Sequence, residues 1–187
     1  MKLHKIIFLI LVSTFIFTSF AAAKDFKAEQ PFLITPAGQA MEAMMVKIMA
    51  DKAGLKFSYK KTATPDALKG NKTLILVSGG SSKGLGAANI DKDQELKRVQ
   101  TLIDEAQKQR IKIITIHIGG TKRRGKLSDP FNTLAAENSN YLIILKEGDQ
   151  DKFFKSIAEK KKIPMKYIEK ILETGDVLKK IFSAKKK

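Results

Sequence analysis

The chain contains no cysteine and no tryptophan, and only two histidines among 187 residues. Without cysteine there are no disulfides, thiolate metal sites or cysteine nucleophiles, so the fold must be held by apolar packing. A zinc site needs about three suitable ligands, and beyond the first few residues His117 is the only imidazole. No metal or cofactor is therefore expected. Acidic residues are also scarce, with 19 Asp and Glu against 35 Lys and Arg for a formal net charge of +16.

The opening residues are apolar in a particular way. Lys2 and Lys5 precede an uncharged run from Ile6 to Phe20, followed by Ala21-Ala22-Ala23. This pattern predicts a secretory leader over residues 1–23, cleaved after Ala23. Fifteen helical residues reach roughly 22 Å, short of a hydrocarbon core of about 30 Å. No cysteine follows for lipid attachment, and no twin-arginine pair precedes the run. The expectation is an exported protein, periplasmic or secreted, with residues 24–187 as one domain and no stable membrane insertion after cleavage.

Short apolar runs alternate with helical patterns along the rest of the chain, which is the signature of an α/β fold. Strands are expected at Phe32–Thr35, Leu55–Tyr59, Thr73–Ser78, Lys112–Ile118 and Tyr141–Lys146. The last three are almost continuously apolar, as expected of central parallel strands covered on both faces. A three-layer, five-stranded, mainly parallel sheet follows, with flavodoxin-like order 2-1-3-4-5 favoured and a Rossmann-like order open.

Helices are expected over Gln39–Lys52, over a short piece from Pro65 to Gly70, and from Asp91, whose spacing to Gln94 makes a capping box, through Gln109. Others are placed at Asp151–Lys161, Met165–Leu172 and Val177–Phe182, with Gly175 separating the last two. Met41, Met44, Met45, Ile48 and Met49 fall on one helical stripe, read as core rather than as a pliable binding surface.

Chemistry concentrates at two loops. Thr73–Ser78 runs into Gly79-Gly80-Ser81-Ser82-Lys83-Gly84-Leu85-Gly86, and the fourth strand into Gly119-Gly120-Thr121-Lys122-Arg123-Arg124. In a parallel sheet such loops share the carboxyl edge, where ligands settle. Glycine amides, the hydroxyls of Ser81 and Ser82, and the cations Lys83, Arg123 and Arg124 together suggest an anion cradle. Gln39, after the first strand, is a further candidate. The stretch Ala106–Ser128 carries seven cations and no acid.

Named motifs fit less well. Gly79–Gly86 is similar to the glycine loop of short-chain dehydrogenases, but Ser78 stands for the threonine and no Tyr-x-x-x-Lys pair exists. Gly84 is followed by Leu85, which breaks a Walker loop. Gly80-Ser81-Ser82-Lys83-Gly84 satisfies G-x-S-x-G, so a hydrolase with Ser82, His117 and Asp129 is an alternative. That family keeps the order Ser, Asp, His and turns at once from strand into helix, whereas a long loop ending only near Asp91 is expected here. Asp91/Asp93 and Asp149/Asp151 read as helix caps rather than calcium ligands.

The strings Phe32–Gln39, Gly79–Ala88, His117-Ile118-Gly119-Gly120, Arg123-Arg124-Gly125 and Leu127-Ser128-Asp129 resemble an uncharacterised family of small exported bacterial domains. The resemblance spans Pro31 to Phe182 and implies no activity. The sequence-based reading is thus a small-anion binder, phosphorylated or carboxylated ligand at the carboxyl edge. The alternatives are the hydrolase and a basic envelope-surface interaction protein, with no nucleic-acid partner expected and the oligomeric state left open.

Overall fold

The computed structural model describes residues 26–183; the expected leader lies outside them. Six strands form one parallel sheet: β1 (Phe32–Ala37), β2 (Phe57–Tyr59), β3 (Thr73–Ser78), β4 (Lys112–His117), β5 (Tyr141–Leu145) and β6 (Met165–Ile168), in the order 2-1-3-4-5-6. The flavodoxin-like order is present, extended by one strand. The sixth corrects the expected helix over Met165–Leu172. Its Met165 and Tyr167 pack on the α5 side while Ile168 enters the opposite core, an alternation of period two that a four-residue window conceals beside Pro164.

Six α-helices cover the sheet: α1 (Glu42–Lys52), α2 (Ser82–Ala87), α3 (Lys92–Lys108), α4 (Asp129–Glu137), α5 (Phe153–Lys161) and α6 (Glu173–Phe182). Pro65–Leu68 forms a 3-10 turn where a short helix is expected. Gly175 lies in the first turn of α6 rather than ahead of it, so no break occurs there. The capping box of α3 is complete, with Asp91 Oδ1 accepting from Gln94 N and Gln94 Oε1 from Asp91 N.

Alternate strand residues divide the core. Phe32, Ile34, Ile75, Val77, Ile114 and Ile116 face α1 and α6, while Leu33, Leu74, Leu76 and Ile113 face α3. Beneath α4 and α5, Leu142 and Ile144 meet Ala136, Phe154 and Ala158. Each core strand buries both faces, which is why these runs lack polar alternation.

The methionine stripe is corrected by α1. Its buried side is Ala43, Val46, Met49 and Ala50, whereas Met41, Met44, Met45 and Ile48 are exposed. Of the expected stripe only Met49 packs inward, and Ala43, Val46 and Ala50 supply the rest of the face that meets the sheet.

Candidate functional site

Three carboxyl-edge loops meet as neighbours. Gly38 and Gln39 follow β1, and Gln39 bridges to Gly80 after β3. The loop after β4 closes on the same place, since Arg123 Nη1 donates to Gly80 O at 3.1 Å and Gly80 N donates to Ser128 Oγ at 3.0 Å. The approach is too close for side chains. A Cβ on Gly80 would stand 2.8 Å from the carbonyl oxygen of Leu127, and one on Gly84 would overlap that of Gln39.

The turn itself is tighter than its glycine content suggests. Helix α2 starts at Ser82, and its cap is Ser81, whose hydroxyl accepts from Gly84 N at 3.1 Å. The expected long loop ending near Asp91 is thus replaced by strand, three-residue turn and helix. Four of the amides proposed as ligand donors have partners within the protein. Gly79 N reaches Ala37 O at 3.0 Å and Ser81 N reaches Gly38 O at 2.9 Å, alongside those of Gly80 and Gly84. Ser82, Lys83 and Gly86 are exposed on α2.

Both candidate guanidinium groups are also engaged. Arg123 Nε donates to the Glu42 carboxylate at 2.9 and 3.0 Å. Arg124 reaches Asp129 Oδ1 through Nε, Gly148 O through Nη1, and Asp151 through both Nη atoms. It also lies over the Phe153 ring at 4.2 Å. Bonding to Asp151 keeps the Arg124 guanidinium charged well beyond its ordinary range and holds the Asp151 carboxyl down at about 2. Gln39 is buried, its amide nitrogen donating to Lys61 O. The oxygens Thr35 Oγ1, Gln39 Oε1, Ser78 Oγ and Asn132 Oδ1 are buried without a partner among the described residues, the setting in which proteins hold ordered water.

His117 is fully buried, with Nδ1 3.2 Å from Ser78 O and Nε2 3.2 Å from Gly120 O. A neutral imidazole has one N–H, so it satisfies one carbonyl and faces the other with a lone pair. Burial nonetheless pushes its pKa down. Asp129 serves Arg124 and Asn132. The relay from carboxylate to imidazole to hydroxyl that a triad needs is replaced by these contacts, and His117 acts as a packed link among β4, Gly120 and the ring of Phe154. Among the described residues no group of three His, Cys, Asp or Glu could hold a metal ion.

Two adjoining concavities lie at the other end of the sheet, which sequence reasoning missed. One of about 480 Å³ is lined by Lys27, Glu29, Gln30, Lys112 and Phe182, and a second of about 380 Å³ by Glu29, Lys72, Arg110 and Lys112. They share Glu29 and Lys112. The cause is register: Thr73 pairs with both Phe32 and Lys112, so residues entering β1, β3 and β4 sit side by side. Lys27 Nζ donates to Lys180 O and Ser183 Oγ, and Lys112 Nζ to Lys27 O. The signal in the sequence is faint: Lys72 directly precedes β3, Arg110 and Lys112 flank the start of β4, and Lys27 stands five residues ahead of β1.

Residues 29–182 match the family described as Domain of unknown function (DUF6305), and the chain belongs to that family. No curated protein matches. Among solved structures the chain is similar to AlinE4, an SGNH-hydrolase family esterase, and to two variants of it. Each is 10% identical over 76% of both chains, with a TM-score of 0.31, a likeness too slight to extend the esterase's chemistry here.

Proposed function

We propose that this domain binds a phosphorylated or carboxylated ligand without transforming it, and that the ligand is held at the amino edge of the sheet. The observation that carries this reading is the distribution of neutralised and spare charge. At the carboxyl edge Arg123 and Arg124 are paired with Glu42, Asp129 and Asp151, which leaves Lys83, Lys122 and Lys126 exposed there, none of them lining a concavity described above. At the amino edge Lys27, Lys72, Arg110 and Lys112 line two adjoining concavities against one carboxylate, Glu29. Lysine carries three donors, so the single and double bonds made by Lys112 and Lys27 leave each with capacity for an anion. The last carbonyls of α3 place partial negative charge nearby, which the cations first offset; their number exceeds that duty.

Thermal shift tests it. Inorganic phosphate and pyrophosphate at low salt should raise the melting temperature of the wild type, as binding to the native state requires. The Lys72→Ala/Arg110→Ala double variant should lose that increase, and Ser82→Ala/Lys83→Ala should keep it. The reverse pattern would return the site to the glycine loop. On the expectation of export, the natural ligand belongs to the periplasm or the exterior.

A further inference from the structure

Helix α1 is apolar on two sides. Ala43, Val46, Met49 and Ala50 fill the core, while Met41 at 61% exposure, Met44, Met45 and Ile48 form a second row facing solvent. Their spacing of i, i+3, i+4 and i+7 makes one continuous stripe. Lys52, four residues beyond Ile48, extends that row and ends it with a cation. Leu172, 79% exposed, lies across a shallow cavity that Met49, Lys52, Asp176 and Lys179 also line. Such a row is dearly exposed: isolated apolar residues are ordinary on surfaces, a contiguous stripe is not.

We infer that this face docks on an anionic lipid bilayer, with Met41, Met44, Met45, Ile48 and Leu172 entering the headgroup boundary and Lys52 and Lys179 at its margin. Charge favours that occupant. The acid at the start of the helix, Glu42, is bound by Arg123, and the exposed Asp51 at the margin of the row is balanced in charge by its neighbour Lys52. The chain's formal charge of +16 attracts an anionic surface, each cation near it contributing about 1 kcal/mol. A second copy fits poorly. Symmetric pairing would bring two strongly cationic chains together, and the five exposed side chains amount to on the order of 550 Å², short of the roughly 800 Å² that each partner of a stable dimer buries. The row lies along the outer side of α1 with one shallow hollow at its Leu172 end, which suits a deformable layer. Unbranched methionine adapts to such a layer without a fixed socket. The amino-edge site plays no part in this inference, and either can fail alone.

Co-sedimentation with vesicles decides it. The full chain without its leader should bind vesicles of phosphatidylglycerol and phosphatidylcholine in about equal parts and should not bind pure phosphatidylcholine. Met45→Ser/Ile48→Ser should weaken binding about tenfold or more, from lost apolar burial, with an unchanged melting temperature because both side chains are exposed. Met44→Ser/Leu172→Ser provides a second pair should the first disturb folding. Equal binding of wild type and both variants would overturn the inference, leaving only diffuse charge. So would failure of the wild type to bind, or a dimer in solution that the same substitutions dissociate.

Discussion

Arg123 and Glu42 are 81 positions apart in the chain, yet the guanidinium Nε sits 2.9 Å from the carboxylate. The pair joins the turn after β4 to the first turn of α1, and the same guanidinium bonds Gly80 O. A cation that sequence reading assigns to a ligand is thus part of the framework. Arg123→Ala should destabilise the protein by about 1–3 kcal/mol, because it leaves a partly buried carboxylate and a carbonyl without their donor. Urea denaturation measures it. Coupling in a double-mutant cycle with Glu42→Gln should account for much of the loss.

Glu95 is the stronger test of buried electrostatics. Its side chain is wholly inaccessible and accepts from Arg98 Nε at 2.7 Å, from Arg98 Nη2, and from Gly38 N at 3.0 Å. Arg98 continues to Ala63 O and Pro36 O, so one ion pair on α3 fixes the loop after β1 and the crossover from β2. Glu95→Ala should cost about 3–5 kcal/mol by leaving the largely buried Arg98 guanidinium without its carboxylate. Denaturant midpoints for this variant and for Glu95→Leu/Arg98→Met should differ, with the paired apolar replacement closer to wild type.

The glycines divide sharply between contact and freedom. Gly84→Ala would drive a Cβ into the backbone of Gln39, whereas nothing stands within 4 Å of a Cβ at Gly86. Both lie in α2. Gly84→Ala should therefore lower stability by about 1–3 kcal/mol despite better helix propensity. Gly86→Ala should raise it by about 0.5–1 kcal/mol. Calorimetric melting of the two variants checks the signs.

His117 makes stability depend on pH. Burial lowers its pKa below the ordinary 6.5, so in acid the unfolded chain takes up a proton that the folded one refuses. Its contribution is constant above about pH 6.5 and is lost as pH falls below that value towards the folded-state pKa. The titrating groups around it are few, Arg124 opposing its charge and Glu42 favouring it. His117→Gln should flatten the fall in melting temperature between about pH 7 and 5, whatever its effect on stability at neutral pH.

What the sequence makes legible follows from burial on two sides. Thr73–Ser78 reads as a strand with the bounds that it has, because every residue of it is buried and an unbroken β-branched and apolar run has few other uses. Strand β6 does not: Met165 and Tyr167 are half-buried on either side of the exposed Lys166, and pairing with β5, not its own pattern, makes it a strand. The convergence of the Gly79 and Arg123 loops is legible from strand order. What those loops do is not, since glycine that admits a ligand and glycine that admits another backbone leave the same letters. Acids far away in sequence, Glu42 and Asp151, decide that the arginines are spent. The amino-edge cluster escapes for a related reason: Lys27, Lys72, Arg110 and Lys112 form no motif until adjacent strands bring them together.

The most direct test of where an anion sits is a residue-resolved amide NMR titration of residues 24–187 with inorganic phosphate. Saturable shifts centred on Lys27–Gln30, Asn71–Lys72 and Arg110–Lys112, with Gly79–Gly86 unmoved, are the predicted result. Saturable shifts confined to Gly79–Gly86 and Arg123–Arg124 would contradict it.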